Sequence, residues 1–305
     1  MNRMGYACIN MQLSNQKPRI YTGRSMIKRT FKAKGIEYAS QLGLDNCKDL
    51  FEIIKWNNEN GFNFFRITSN LFPWCSEYKL SDMPDYEAIC DILSKAGSYT
   101  KDNDIRITSH PGPFNVLTSP HKHVVDNCIN DLSTHGEVFD MMGLSRTPYN
   151  KINIHIGGVY GDKVSAMKRF CENYLLLPDS VKSRLTVEND DKASMYSVVD
   201  LYEGVYCKIG IPIVFDYHHH RFNTGGLTEE DALEVAISTW GDVVPVVHYS
   251  ESRNIEQEND KIRPQAHSDY VYDYIDTYGN RVDIMVEAKH KELAVLKYKE
   301  VHGIL

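Results

Sequence analysis

The sequence predicts an α/β chain folded as one (β/α)8 TIM barrel across residues 1–305, with a long basic loop at about 11–43. Two observations carry this. Apolar runs of strand length alternate eight times with stretches of helical periodicity, and no internal repeat or low-complexity linker interrupts them. Each run is also followed by residues suited to ligation or hydrogen bonding, and in such barrels the C-terminal ends of the strands carry the chemistry.

The first run, Met4–Ile9, ends on Asn10 and leads into the segment 11–43, too long for a routine βα turn. A helix follows over Cys47–Asn58, with Leu50, Ile53 and Ile54 on one face. The strand Phe62–Ile67 leads to Ser69 and Asn70, then a helix over Asp85–Ser94. Asp104–Thr108 discharges onto His110, with a helix over Val124–Met142. Lys151–Ile156 carries His155 and precedes a helix over Lys163–Leu176. Arg184–Val187 delivers Glu188 and Asn189, and a helix is expected over Met195–Tyr206. Ile211–Phe215 is the clearest strand: five apolar residues, too few for a helix, stop abruptly on Asp216, Tyr217 and His218 to His220. After the helix Glu229–Thr239, Val243–Val247 delivers His248; His267 follows in the next loop, before an expected helix over Ser268–Tyr278. The last strand, Val282–Val286, ends on Glu287, and Lys289–Val301 reads as the closing helix.

A 42% hydrophobic, 25% charged composition is that of an ordinary globular protein with ample core. No apolar run approaches the roughly 18 residues of a membrane span, and the N-terminus lacks the apolar core of a signal peptide. The seven cysteines are scattered and never form C-x-x-C, which argues against a cysteine zinc site and for reduced thiols in a cytosolic or nuclear compartment. Net charge is −7, yet Arg3, Lys17, Arg19, Arg24, Lys28, Arg29, Lys32 and Lys34 all precede the first acid, Glu37. That uneven distribution suits a basic segment that meets phosphates while clustered acids elsewhere hold cations.

Seven of the twelve histidines, at 110, 155, 218, 219, 220, 248 and 267, fall at strand ends or in the following loops, with Glu188, Asp216 and Glu287. Imidazole and carboxylate without thiolate suit Mn²⁺, Zn²⁺ or Fe²⁺ better than an all-oxygen Mg²⁺ or Ca²⁺ cage; Co²⁺ is a further candidate. So many ligands exceed what one ion takes, which implies two or three ions and points to phosphodiester hydrolysis, with Glu188, central in strand order, as the bridge. At Ser109–Phe114 (SHPGPF) the Pro111–Gly112 pair turns the chain sharply and pushes Phe114 over the rim. Tyr6, Phe72, Trp74 and Tyr160 are further candidates for stacking on bases.

With these residues assembled, the chain resembles the UV damage endonuclease family, metal-dependent barrel enzymes of DNA repair related to endonuclease IV. The motifs are GYxxxN (Gly5, Tyr6, Asn10), FRITS (Phe65–Ser69), SHPG (Ser109–Gly112), IHIGGVYGDK (Ile154–Lys163), VENDD (Val187–Asp191), FDYHHH (Phe215–His220), VHYSES (Val247–Ser252) and VEAKHKE (Val286–Glu292). The resemblance implies cleavage immediately 5′ of a UV photoproduct in double-stranded DNA, leaving a 3′-hydroxyl and a 5′-phosphate. It implies metal ligation by His110, His155, Glu188, Asp216, His219, His248, His267 and Glu287, usually of manganese, with Lys289 close to the metals. It places Tyr6 and Asn10 where relatives contact distorted DNA, and Pro113 and Phe114 at the duplex wedge. The basic residues Arg24, Lys28 and Arg29 would hold the backbone. No protein partner is evident, and the chain is expected to act as a monomer.

Three positions depart from the pattern. Asn70 stands where some relatives carry another histidine ligand, and Val246, two before His248, where many carry lysine. Pro113 replaces a glutamine and cannot donate its hydrogen bonds. Three alternatives compete. An abasic-site endonuclease of the endonuclease IV type is close. A sugar isomerase of the xylose-isomerase type shares barrel and metals but has no use for the basic segment. A damage-binding protein would not need such a ligand set.

Overall fold

The computed structural model describes residues 2–304. Eight parallel strands close into a barrel in sequence order: β1 (Met4–Ala7), β2 (Phe64–Ile67), β3 (Arg106–Ser109), β4 (Ile152–Ile154), β5 (Leu185–Glu188), β6 (Ile213–Asp216), β7 (Val246–Tyr249) and β8 (Asp283–Val286). β8 pairs with β1 to complete the ring, so no sheet edge is left open. All eight expected strands are present, shifted by at most a few residues.

Side chains alternate across a strand, which divides the barrel into an outer apolar layer and a graded interior. Ile53, Phe65, Leu93, Ile107, Leu132 and Phe170 belong to the main core, where strands meet the surrounding helices. A second cluster, of Ala7, Phe64, Val214, Val246 and Met285 with Trp240, fills the barrel itself. Beside it lies the fully buried Arg106, 2.8 Å from Asp283 and donating to the carbonyls of Tyr149 and Val244. Two residues beyond Val214, Val246 and Met285 along their strands stand Asp216, His248 and Glu287, so the polar centre sits directly on the apolar plug.

Two expectations are corrected. The segment 11–43 is not one loop: Met11–Asn15 is a short helix, and a long helix begins at Lys28 and runs to Glu59 instead of starting at Cys47. It is two helical pieces joined at Gly35, whose φ of 68° is a left-handed value that glycine adopts without cost. Gly43, which resembles a breaker in sequence, is a packing residue: a Cβ there would lie 2.6 Å from the Phe72 ring. The second correction concerns Ser268–Tyr278, which is irregular. Glu256 accepts from the backbone N–H groups of Asp269 and Tyr270, at 2.6 and 2.8 Å. Glu251 accepts from those of Tyr272 and Asp273, at 2.8 and 2.9 Å. These carboxylates take the donors that helical carbonyls would have used. Among the described residues no helix is long and apolar enough to cross a membrane.

Candidate metal centre

Glu188, at the end of β5 and 1% exposed, is the hub of the barrel mouth. One carboxylate oxygen lies 3.2 Å from His110 Nε2 and 3.1 Å from His248 Nδ1. The other lies 3.4 Å from His219 Nδ1 and 3.9 Å from His155 Nε2. Asn153, one strand over, donates to the first oxygen and fixes its rotamer. Glu287 joins from β8, 3.1 Å from His248 Nδ1 and paired with the Arg66 guanidinium. Asp216 caps the turn Tyr217–His220 by accepting from the His219 amide at 2.8 Å, which turns the His219 ring back over the centre.

The histidines are oriented by oxygens outside the cluster. His110 Nδ1 lies 3.1 Å from the Pro111 carbonyl, His219 Nδ1 2.9 Å from that of Asn189, and His267 Nδ1 3.0 Å from that of Glu287. His155 Nδ1 lies 2.9 Å from an Asp190 carboxylate oxygen. A proton held at Nδ1 leaves the Nε2 lone pair bare, which is how metal-binding imidazoles are commonly prepared.

Electrostatics agree. Burial pushes His110 and His267 below their ordinary values, and His248 down to about 4 against the pull of Glu188, so these rings are neutral at pH 7. Burial works against ionised Glu188, yet His248 and His155 hold it well below the usual carboxylate range. Glu287 is likewise held down, chiefly by Arg66. Asp216 goes the other way, pushed up to about 7 by burial against His219, with Glu188 and Glu287 adding repulsion. Its Oδ2 is buried without a hydrogen-bond partner. Two imidazoles go up despite burial: His155 to about 10, through Glu188 and Asp190, and His219 through Asp216 and Glu188, so both would give up a proton to an incoming cation. Three clustered carboxylates, an orphaned oxygen and an imidazole set of this kind fit divalent cations. Two triplets, His110–His155–Glu188 and Glu188–Asp216–His248, have donor atoms within 4.8 Å of one another and share Glu188.

Of the expected ligands, His110, His155, Glu188, Asp216, His219, His248 and Glu287 converge, and His267 stands beside them through Glu287. His218 and His220 are buried against Phe222 and Phe215 and lie outside the cluster. Lys289 is exposed at the rim. Tyr6 and Asn10 are corrections: both are fully buried. The Tyr6 hydroxyl donates to Asn57 at 2.6 Å and accepts from Asn10 at 2.9 Å, and Asn10 caps the helix Met11–Asn15. Neither can touch a surface ligand as placed. Phe114 is 63% exposed, and Pro113 lines the pocket into which His110, His155 and Glu287 open. Lys28 and Arg29 are exposed, whereas Arg24 is tied to Asp49 at 2.7 Å.

Two polar neighbours escaped the sequence reading, Arg66 and Lys151. Val246 does not leave His248 without an amine, since the fully buried Lys151 places Nζ 3.1 Å from His248 Nε2. Burial pushes that amine down to about 7. The signal was available: Lys151, Asn153 and His155 share one strand face, as do Phe64 and Arg66.

The family model "UV-endonuclease UvdE" matches residues 2–304. The UV-damage endonuclease of Schizosaccharomyces pombe is 35% identical over 97% of this chain and 50% of its own length. A putative UV-damage endonuclease of Acanthamoeba polyphaga mimivirus is 31% identical over 97% and 89%. The UV DNA damage endonuclease of Bacillus thuringiensis subsp. konkukian is 30% identical over 97% and 93%. The chain thus spans about half the length of the fission yeast relative and nearly all of the viral and bacterial ones. The crystal structure of SacUVDE superposes with a TM-score of 0.83 at 31% identity, covering 99% of this chain and 98% of that one. D-psicose 3-epimerase from Clostridium cellulolyticum H10, at 13% identity and a TM-score of 0.53 over 78% of this chain and 79% of its own, shares the fold alone. By the reach of the family match and the identity of these relatives, the chain belongs to the UV-endonuclease UvdE family.

Proposed function

We propose that this chain is a metal-dependent DNA-repair endonuclease that hydrolyses the phosphodiester immediately 5′ of a UV photoproduct in double-stranded DNA. It would leave a 3′-hydroxyl and a 5′-phosphate. The observation that carries the reading is Glu188 shared between two ligand triplets inside a chain that matches the family from end to end. His110, His155, Glu188, Asp216, His219, His248, His267 and Glu287 would hold two or three divalent ions, Mn²⁺ first among the candidates. Such ions supply Lewis acidity toward a phosphodiester and a nucleophile at neutral pH. The protein's own part is to fix the donors. Pro111, Asn189 and Glu287 carbonyls and Asp190 orient imidazoles, Asn153 orients Glu188, and Arg66 keeps Glu287 ionised.

Lys28 and Arg29 would hold the DNA backbone, and Phe114 would enter the helix stack at the lesion. Lys289 faces the rim, where it would meet the scissile phosphate. The enzyme would work as a single chain in a reducing compartment, cytosolic or nuclear, since its seven cysteines are free.

The test uses three duplexes, carrying a cyclobutane dimer, an abasic site or no lesion, each with Mn²⁺ and with chelator. The reading expects Mn²⁺-dependent nicking of the dimer duplex on its 5′ side. Nicking of the abasic duplex alone would instead favour an enzyme of the endonuclease IV type.

A further inference from the structure

We infer that a groove on the outer flank of the barrel is a docking site for an amphipathic helix with acidic flanks, supplied by another protein. The helix Lys163–Tyr174 packs Ala166 and Phe170 into the core, and one such apolar face is what a surface helix needs to hold its place. It carries a second apolar line to one side: Val164, Met167, Cys171 and Leu175, spaced i, i+3, i+7 and i+11. Val164 is 73% exposed and Leu175 65%, so both ends of this line face solvent. The line is one wall of a groove of about 460 Å³, and Gly204, Lys208 and Ile209 belong to the other. A continuous apolar strip of this kind marks a contact surface. An occupant there would leave the barrel mouth open.

The groove exists because the backbone opposite the helix is bare. Tyr202–Tyr206 forms a π-helical turn, a wider coil than the α-helix and one that is frequent at functional sites. Gly204 sits in the middle of that turn against Met167, and a Cβ there would collide with the Met167 sulfur. The Gly204 carbonyl accepts from the Cys171 thiol at 3.5 Å, which ties the two walls together. Burial raises that thiol above its ordinary value, so Cys171 is a protonated part of the floor and not a nucleophile.

Shape and charge choose the occupant. A closed barrel offers no sheet edge to which a strand could add, whereas two helical walls present the ridges between which a third helix packs. From Val164 to Leu175 the line runs roughly 16 Å at 1.5 Å per residue, about three turns of a partner helix. An ammonium stands on each wall, Lys168 at 77% exposure on one and the exposed Lys208 on the other. Glu172, the one carboxylate among the lining residues, lies on the Lys168 wall, 3.8 Å from that lysine, so the lining of the Lys208 wall carries positive charge only. An aliphatic stripe bordered by acid on both sides answers both walls, and cationic borders would meet like charge.

The experiment measures binding of the full chain to a fluorescein-labelled synthetic helical peptide with leucine at i, i+3, i+7 and i+11 and glutamate on both sides of that stripe. Two counterparts carry lysine instead of the glutamates, or serine instead of the leucines. The acid-flanked peptide is expected to bind at least about tenfold tighter than either counterpart. Leu175→Glu, at a position the core does not use, should weaken it by about tenfold or more, with Val164→Glu as the second variant. Lys168→Glu combined with Lys208→Glu should reverse the preference toward the lysine-flanked peptide. Thermal unfolding and Mn²⁺ uptake should match the wild type throughout. Equal binding of the acid- and lysine-flanked peptides would overturn the docking site. So would binding that survives these substitutions, which would place the peptide on another basic surface such as Lys28 and Arg29. Sedimentation of the chain alone examines the rival occupant: a wild-type dimer that Leu175→Glu splits would give the groove to a second copy and overturn the proposal.

Discussion

At the scale of single residues, one carboxylate is surrounded by imidazoles that a second partner orients. Glu188 touches His110, His155, His219 and His248; the Pro111 carbonyl and Asp190 hold the remaining nitrogens of His110 and His155, while the Asn189 carbonyl shares Nδ1 of His219 with Glu188. The departure at Pro113 also belongs to this scale. Proline fills volume but cannot bond to an orphaned base, so recognition should rest on Phe114, whose stacking is worth roughly 1–3 kcal/mol per base. Phe114→Ala is expected to lower kcat/KM on a dimer duplex at least about tenfold, while Pro113→Gln should be tolerated. Unchanged kinetics for Phe114→Ala would move the wedge elsewhere on the rim. Most of the centre was legible in the sequence because a strand end marks its own ligands. Tyr6 and Asn10 were misjudged because nothing local reveals that Asn57, on a distant helix, closes over them. Lys151 was missed because it lies at the opposite end of its strand from the rim, two residues below Asn153 and four below His155.

At the scale of elements, the basic segment is half irregular chain and half helix, and this changes what its residues can do. Lys28 and Arg29 stand exposed on the first helical turn, whereas Arg24 is paired with Asp49 and anchors the approach to that helix. Replacing Lys28 and Arg29 with Ala should weaken damaged and undamaged DNA alike. It should also flatten the log–log salt dependence by up to about one unit per lost phosphate contact. Binding that is unchanged across a salt series would make the segment a solvated surface. The helix start was hidden by Gly35 and Gly43: one is a true break in the geometry and the other a packing contact with Phe72, and sequence alone does not separate them. The missing helix at Ser268–Tyr278 was hidden by acids some 13 to 22 residues away that capture its backbone.

A second element-level prediction concerns acid stability. Asp140, on the helix Lys122–Met141, accepts from Arg146 at 2.7 Å and lies 2.9 Å from the buried Arg184, which leads into β5. Burial works against its charge, but those bonds hold its carboxyl below the ordinary value. A depressed carboxylate stabilises the fold above the unfolded value of about 3.9, and that contribution is lost as pH falls through the folded one. Asp140→Asn should therefore cost about 1–2 kcal/mol at pH 7, and the gap to wild type should close below about pH 4. A gap that persists into acid would assign the loss to packing.

At the scale of the whole molecule, the barrel was the most legible feature, because its eight apolar runs each had strand length and a polar stop. The alternation that makes Val214, Val246 and Met285 an apolar plug also raises Asp216, His248 and Glu287 into one layer above it. On the reading proposed above, this layer would hold the metal ions on which cleavage would depend, with Glu188 common to both ligand triplets. The most direct measurement is the single-turnover nicking rate on a dimer duplex for wild type and Glu188→Gln, after chelator treatment and readdition of Mn²⁺, with bound metal counted in both. Losing the bridging charge at constant volume removes several kcal/mol of stabilisation, so the variant should bind fewer ions and cut roughly 10³-fold more slowly or worse. A Glu188→Gln chain that keeps its full metal content and nicks at the wild-type rate would contradict the account.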